Sequence, residues 1–355
     1  MNAPQQGHLA GLNEPMREDC GLPWLVADVG GTNARFGWVD DPAAGVRHVR
    51  QLAVADHAGP AQAAAAYLEG LAQALGRPPH APRRAALAVA TAVDGDAVAF
   101  TNSSWSFSRA ALCQALGLNE LRVLNDFEAL ALSLPRLGPH QVRAHGASPR
   151  AQGVLAVIGP GTGLGVGGVV QTAAGWQAMP GEGGHATLAA TDDFEAAVLQ
   201  HVRRRFTHVS AERLLSGIGL PTLHEAVAAV RGEPAQALAA PQIVEQALAG
   251  DDAACGRTID LFCALLGSFA GNVALTLGSR GGVYIGGGIV PRLGDRFFAS
   301  RFRERFEAKG RFQGYLQAIP TALIVDTQAA LSGAAAALEP HAPRVTSPGA
   351  PSAAT

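Results

Sequence analysis

Two short segments carry the residue types that hold phosphate groups. In Asp28-Val29-Gly30-Gly31-Thr32-Asn33-Ala34-Arg35 an apolar run delivers a carboxylate to two glycines, a hydroxyl and an amide. The glycines let the backbone come close to an anion, and successive N–H groups can cradle its oxygens. Asp28 stands where it could hold a metal-bound water beside that anion. A plain hairpin capped by Thr32 and Asn33 is the bland alternative. The second segment, Gly159-Pro160-Gly161-Thr162-Gly163-Leu164-Gly165, repeats the pattern, with Gly161-Thr162-Gly163 as its turn. Gly163, Gly165 and Gly168 also spell G-x-G-x-x-G, but a dinucleotide loop must then open a helix, and VVQTAAGWQAMPG has strand and turn character. A Walker A loop needs a lysine after its glycines, and the only lysine is Lys309 in another setting.

Polar groups suited to gripping hydroxyls occur in four further places. Asn125-Asp126 ends a strand and starts a helix, where open α/β sheets bind ligands; a helix cap is the competing role. Gly181-Glu182-Gly183-Gly184-His185 is a glycine-rich loop whose carboxylate can accept two hydrogen bonds while the imidazole donates or accepts. A metal site there would need a third ligand, and none is near in sequence. Ser210-Ala211-Glu212 reads as a helix start with Ser210 capping, and Asn102 ends the FTN segment. Gly286-Gly287-Gly288 sits between a strand and a helix; by itself it reads first as a plain turn, though it could clear space for a flat ring. There is no G-x-S-x-G elbow, so nucleophilic hydrolase chemistry has no support.

The elements that must position these groups alternate between strand and helix. Strands are predicted at Trp24–Val29, Arg35–Val39, Val46–Val54, Ala85–Ala90, Arg122–Leu124, Gly153–Ile158, Leu164–Val170, Val283–Ile285 and Leu323–Val325. Helices are predicted at Gln62–Leu75, Ser108–Leu116, Phe127–Leu134, Asp192–Phe206, Ser210–Leu215, Thr222–Val230, Gln242–Leu248, Ala254–Leu277, Asp295–Ala308 and Ala329–Leu338. LVADVGGTNARFGWV and LAVIGPGTGLGVGGVV share one plan, an apolar strand, a Gly/Thr turn and a strand leading away. Such a repeat predicts two α/β lobes facing one cleft, 22–136 completed by a returning helix at 327–339, and a larger helix-rich 137–326. Tails are expected at 1–21 and 340–355, which are rich in Pro, Ser and Ala.

Bulk composition narrows the classes. Of 355 residues, 48% are hydrophobic and the net charge is −2, enough for a large core and no reason to propose nucleic acid or an anionic membrane. Cys20, Cys113, Cys255 and Cys263 are scattered, so free thiols in a reducing cytosol are expected. The apolar stretch 261–278 approaches membrane-spanning length, yet Ser268, Asn272 and Thr276 interrupt it and a buried helix is the expectation.

Taken in order, DVGGTNARF, TNSSWSFS, NDFEALA, GPGTGLGV, PGEGGHATL, HVSAERLLSG and GGVYIGGGIVPR resemble the bacterial glucokinase family, the hexokinase-like group of the actin/sugar-kinase/heat-shock ATPase superfamily. The resemblance spans roughly residues 22–338. The related repressor/kinase group carries a cysteine-rich zinc motif that this chain lacks. The resemblance implies two ribonuclease-H-like α/β lobes around a cleft, ATP with Mg²⁺, glucose as substrate, a cytoplasmic enzyme and a homodimer. It further implies that Asn102, Asn125, Asp126, Glu182, His185 and Glu212 contact glucose and that Asp126 is the general base. By the same resemblance Asp28, Gly30, Gly31, Thr32 and Asn33 form one phosphate loop, with Asp28 holding Mg²⁺ through water. Gly161, Thr162 and Gly163 form the other, and Gly286, Gly287 and Gly288 the adenosine loop. A sugar-sensing regulator and an actin-like or chaperone-like ATPase are the rivals.

Overall fold

The computed structural model describes residues 21–100, 105–234 and 236–339; Asn102 and most of both expected tails lie outside them. Two sheets organise the chain. The first has the order β3-β2-β1-β4-β7, from β1 (Trp24–Val29), β2 (Asn33–Val39), β3 (Arg47–Ala53), β4 (Arg84–Val89) and β7 (Glu120–Asn125). Between its last two strands lies a small hairpin, β5 (Ala97–Ala99) and β6 (Ser106–Ser108). The second has the order β11-β10-β9-β12-β13-β8, from β8 (Val142–His145), β9 (Val154–Pro160), β10 (Leu164–Thr172), β11 (Gly175–Met179), β12 (Gly282–Ile285) and β13 (Thr321–Ile324).

The two sheets share one five-strand topology, to which the second adds β8 antiparallel to β13 at its edge. In each, an antiparallel hairpin is followed by a third antiparallel strand on one side, and parallel strands extend the other side. The repeated strands β1 and β9 are central and buried on both faces, which is why each reads as a continuous apolar run. This is the α/β architecture of the actin-like ATPase fold that the resemblance implies, and the duplicated hairpins are those the sequence repeats.

One core covers the first sheet with Leu25, Phe36, Tyr67 and Leu87. A larger one packs the long helix Ala253–Leu277 against β9, β12 and neighbouring helices, burying Phe262, Leu266 and Phe302. Each such side chain contributes about 1.5–3 kcal/mol on burial. That long helix is the one described helix apolar enough to cross a bilayer, and most of its apolar stretch is buried within the fold. Helix Asp126–Ser133 leaves β7 of the first sheet and packs onto the second, with Phe127, Leu130 and Ala131 against Leu155, Val157 and Tyr284. The final helix, Ala329–Leu338, returns to the first sheet and meets Trp24, Val26 and Ala86. The two helices touch backbone to backbone, because a Cβ at Gly333 would stand 1.6 Å from the Ala129 carbonyl oxygen.

Two predicted helices are corrected. Ser210–Leu215 is a run of turns: Ser210 Oγ accepts from Arg213 N, and Ser216 Oγ both donates to Glu212 O and accepts from Gly219 N. These side-chain bonds satisfy backbone groups that a helix would otherwise pair. Asp295–Ala308 is broken into Asp295–Ala299 and Phe302–Glu307, because Ser300 adopts an extended backbone and its Oγ accepts from Phe302 N. Strands β5, β6 and β8 have no counterpart in the sequence reading. Among the described residues Cys113, Cys255 and Cys263 are free, as expected.

Candidate active site

Each glycine turn is closed by a bond from its first N–H to its last carbonyl, across four residues in the first and three in the second. Gly30 N donates to Asn33 O at 2.9 Å, and Gly161 N donates to Gly163 O at 2.9 Å. Behind the first turn, Val54 N anchors Thr32 O at 2.9 Å. Behind the second, Gly217 N anchors Gly161 O at 2.7 Å and Ile218 N reaches Thr162 O at 3.4 Å. The segment that follows G-x-G-x-x-G is strand β10, so the dinucleotide reading stays excluded.

Asp28, next to last in β1, pairs across from Arg35, whose Nη1 lies 3.9 Å from its carboxylate. Burial pushes the Asp28 carboxyl up and Arg35 opposes that shift. Arg35 also donates to Gln51 Oε1 at 3.0 Å and to Thr327 O at 3.2 Å.

Asn125 caps helix Asp126–Ser133, its Oδ1 accepting from Phe127 N at 2.9 Å while its Nδ2 donates to Thr91 O at 3.2 Å. Asp126 Oδ1 accepts from the same Phe127 N at 2.9 Å. Burial, aided by the negative charges of Asp28 and Glu182, pushes the Asp126 carboxyl up to about 6; the Phe127 N–H opposes this. A carboxyl that senses Asp28 from β1 and Glu182 from the loop after β11 marks the convergence of three chain-distant segments.

Glu182 precedes a short 3₁₀ turn, Gly183–His185, laid against β10. The contact admits only glycine, since a Cβ at Gly184 would stand 2.0 Å from Leu164 O. Glu212 ties this loop to the second turn. Its Oε2 accepts from Leu164 N at 2.9 Å, its backbone N donates to Gly184 O at 2.9 Å, and its Oε1 lies 3.9 Å from His185 Nε2. One carboxylate oxygen therefore holds the backbone after the second turn, and the other faces His185. A cleft of about 270 Å³ opens between the sheets, walled by Val93 and Asn125 on one side and Val166, Gly167, Gly181 and Glu182 on the other. A hollow of about 300 Å³ at the edge of the first sheet, near Trp38 and Pro79, lies apart from the convergent groups.

Gly286–Gly288 borders the second turn: Gly286 N donates to Ile158 O at 2.8 Å and Ile289 N to Pro160 O at 3.1 Å. Gly287 has φ +76° and no room for a side chain, because a Cβ would stand 2.3 Å from Pro160 O. Among the described residues no cluster of three metal-ligating side chains forms. The carboxylate that could hold a hydrated cation beside the first turn is Asp28.

The structure thus brings Asp28 and Glu182 within reach of the Asp126 carboxyl, and it joins His185 and Glu212 to the Gly161–Gly163 turn. The sequence reading passed over Thr91, which orients Asn125, and Glu128, which lines the cleft with a carboxyl raised by burial. It also passed over Phe127, whose adjacency to Asp126 was the only signal.

Residues 25–341 match the family described as glucokinase. A glucokinase of Aromatoleum aromaticum is 50% identical over 321 residues, 89% of this chain and 95% of the relative. One from Chromobacterium violaceum is 48% identical over 324 residues, 91% of each. A crystal structure of a glucokinase from an Antarctic psychrotroph superposes with a TM-score of 0.82 at 39% identity, covering 89% of this chain and 98% of that one.

Proposed function

This chain belongs to the glucokinase family, and from that premise we propose that it transfers the terminal phosphoryl group of ATP to the 6-hydroxyl of D-glucose, giving glucose 6-phosphate and ADP. Phosphoryl transfer depends on positioning and charge stabilisation more than on covalent work. The cleft offers both. Asn125, Glu182, His185 and Glu212, with Asn102, hold the sugar hydroxyls. The turns at Asp28–Asn33 and Gly161–Gly163 hold the phosphates, and Gly286–Gly288 the adenosine. Asp28 would hold Mg²⁺ through water, and the ion would neutralise phosphate charge when bound.

The observation that supports this most is the Asp126 carboxyl at about 6. It is ionised at neutral pH yet basic enough to take the 6-hydroxyl proton as the oxygen bonds to phosphorus. Asp126 opens the helix directly after Asn125, which lines the cleft. The lobes 22–136 with 327–339 and 137–326 close on the ligands and exclude water. We take the enzyme to be cytoplasmic and homodimeric, as its family resemblance implies.

A coupled assay of ADP and glucose 6-phosphate formation tests the reaction. Glucose-dependent turnover with ATP is expected, and its absence refutes the activity. Asp126→Ala should lose about 10²–10⁴-fold in turnover with the fold retained. Near-normal turnover in that variant removes Asp126 from the mechanism. Mannose, fructose and glucosamine in the same assay define the sugar preference.

A further inference from the structure

Within the proposed reaction, and resting on the reading of Asp126 as its base, we propose that Phe127 is the positioning residue that sets Asp126 against the second phosphate turn. The Gly159–Gly165 pair serves as the seat for its ring. These two glycines are cross-strand partners in the β9–β10 hairpin, two residues either side of Gly161 and Gly163. The Phe127 ring lies directly over them. A Cβ at Gly165 would stand 2.0 Å from Phe127 Cδ2 and Cε2, and one at Gly159 would stand 2.4 Å from Cζ. Gly167, further along β10, faces the Phe127 carbonyl, with a Cβ position only 2.8 Å from that oxygen. Three glycines that spell no nucleotide fingerprint thus share one neighbour.

The consequence is geometric. Asp126 hangs from β7 of the first sheet, whereas the Gly161–Gly163 turn belongs to the second. Phe127 is the next residue after Asp126, and its N–H already bonds both the Asn125 and Asp126 side chains at 2.9 Å. Seating the ring beneath the turn fixes the distance from the base to the phosphate site through a single residue. Bound groups must be held closely, since a misplacement of about 1 Å can cost ~10²-fold in rate. The same position in the first hairpin pairs Asp28 with Arg35, side chains rather than glycines, and no ring seat exists there.

The test uses the full chain and five variants, each checked for native circular dichroism. Phe127→Ala should lower kcat at least about tenfold while KM for glucose and for ATP stay within about twofold, because the ligand-holding groups are untouched. Its acid limb of kcat should move to lower pH, since water reaches Asp126 beside its charged neighbours Asp28 and Glu182; a merely structural loss leaves that limb in place. Gly165→Ala should also lower kcat, by displacing the ring. The double variant Phe127→Ala/Gly165→Ala should be no slower than Phe127→Ala alone, because the added methyl then fills vacated space. Multiplying effects in the double variant, or a kcat within twofold of wild type in folded Phe127→Ala, overturn the proposal. Should Phe127→Ala fail to fold, Phe127→Leu is read instead: a several-fold fall in kcat with a lowered limb supports the proposal, and unchanged kcat and limb overturn it. Asp126→Asn separates the two layers. Full turnover in it removes the base, whereas lost turnover in it beside normal turnover in Phe127→Ala removes only the positioning role.

Discussion

Lowering the pH through 6 should switch off the base, and the size of the effect follows from the burial of Asp126. With its carboxyl at about 6, roughly nine tenths are ionised at pH 7 and roughly one tenth at pH 5. The kcat/KM for glucose at saturating ATP should therefore fall about tenfold across that interval. A carboxyl at its ordinary 3.8 would lose only about 6% over the same range. The terminal phosphate of ATP also titrates near pH 6, so the wild-type limb by itself mixes two groups. Glu182→Gln resolves them. It removes one of the two negative charges that raise Asp126 and leaves ATP unchanged, so its limb must move to lower pH. Coupled-assay rates from pH 4.5 to 8, with glucose titrated at each point, give both curves. The raised KM for glucose expected in Glu182→Gln does not disturb the limb, because only its position is compared. Superimposable limbs in the two proteins, or a wild-type rate that holds between pH 7 and pH 5, refute the reasoning.

Other consequences are open to direct measurement. Asp126→Asn should stabilise the folded protein at pH 7 by up to about 3 kcal/mol, because a carboxyl raised from 3.8 to about 6 destabilises the fold when ionised; the gain should vanish as the pH falls below about 4, where wild-type Asp126 is protonated in both states. Urea unfolding at the two pH values reads this. Gly287→Ala combines a left-handed backbone with a Cβ 2.3 Å from Pro160 O, so it should cost at least about 2 kcal/mol and raise KM for ATP more than KM for glucose. Gly333→Ala must push helix Ala329–Leu338 off the Asp126 helix, with an expected loss of about 1–3 kcal/mol in thermal unfolding and a fall in kcat.

The two hairpins were legible because glycine turns interrupt strongly apolar runs, and the final helix because alanine and leucine dominate it. The helix assigned to 210–215 failed for a local reason. Ser210, Ser216 and Gly219 close competing turns that composition does not reveal. Strands β5, β6 and β8 escaped because they are three or four residues long and mixed in character. Site residue types could be picked out one by one, but their meeting depends on non-local packing. The double duty of Glu212, one oxygen on Leu164 N and one near His185, has no trace in HVSAERLLSG. Nor does the purpose of Gly165, which becomes intelligible only with Phe127 above it.

The return of the last helix to the first sheet has a consequence for biogenesis. Strands β1 to β7 leave the ribosome early, but the face bearing Trp24, Val26 and Ala86 acquires Leu331, Ala334 and Leu338 only near the end of synthesis. At typical elongation rates the interval from residue 125 to residue 338 lasts roughly 10–40 s. Through that time the nascent amino-terminal half presents an unshielded oily surface, a natural client for trigger-factor-like or holdase chaperones.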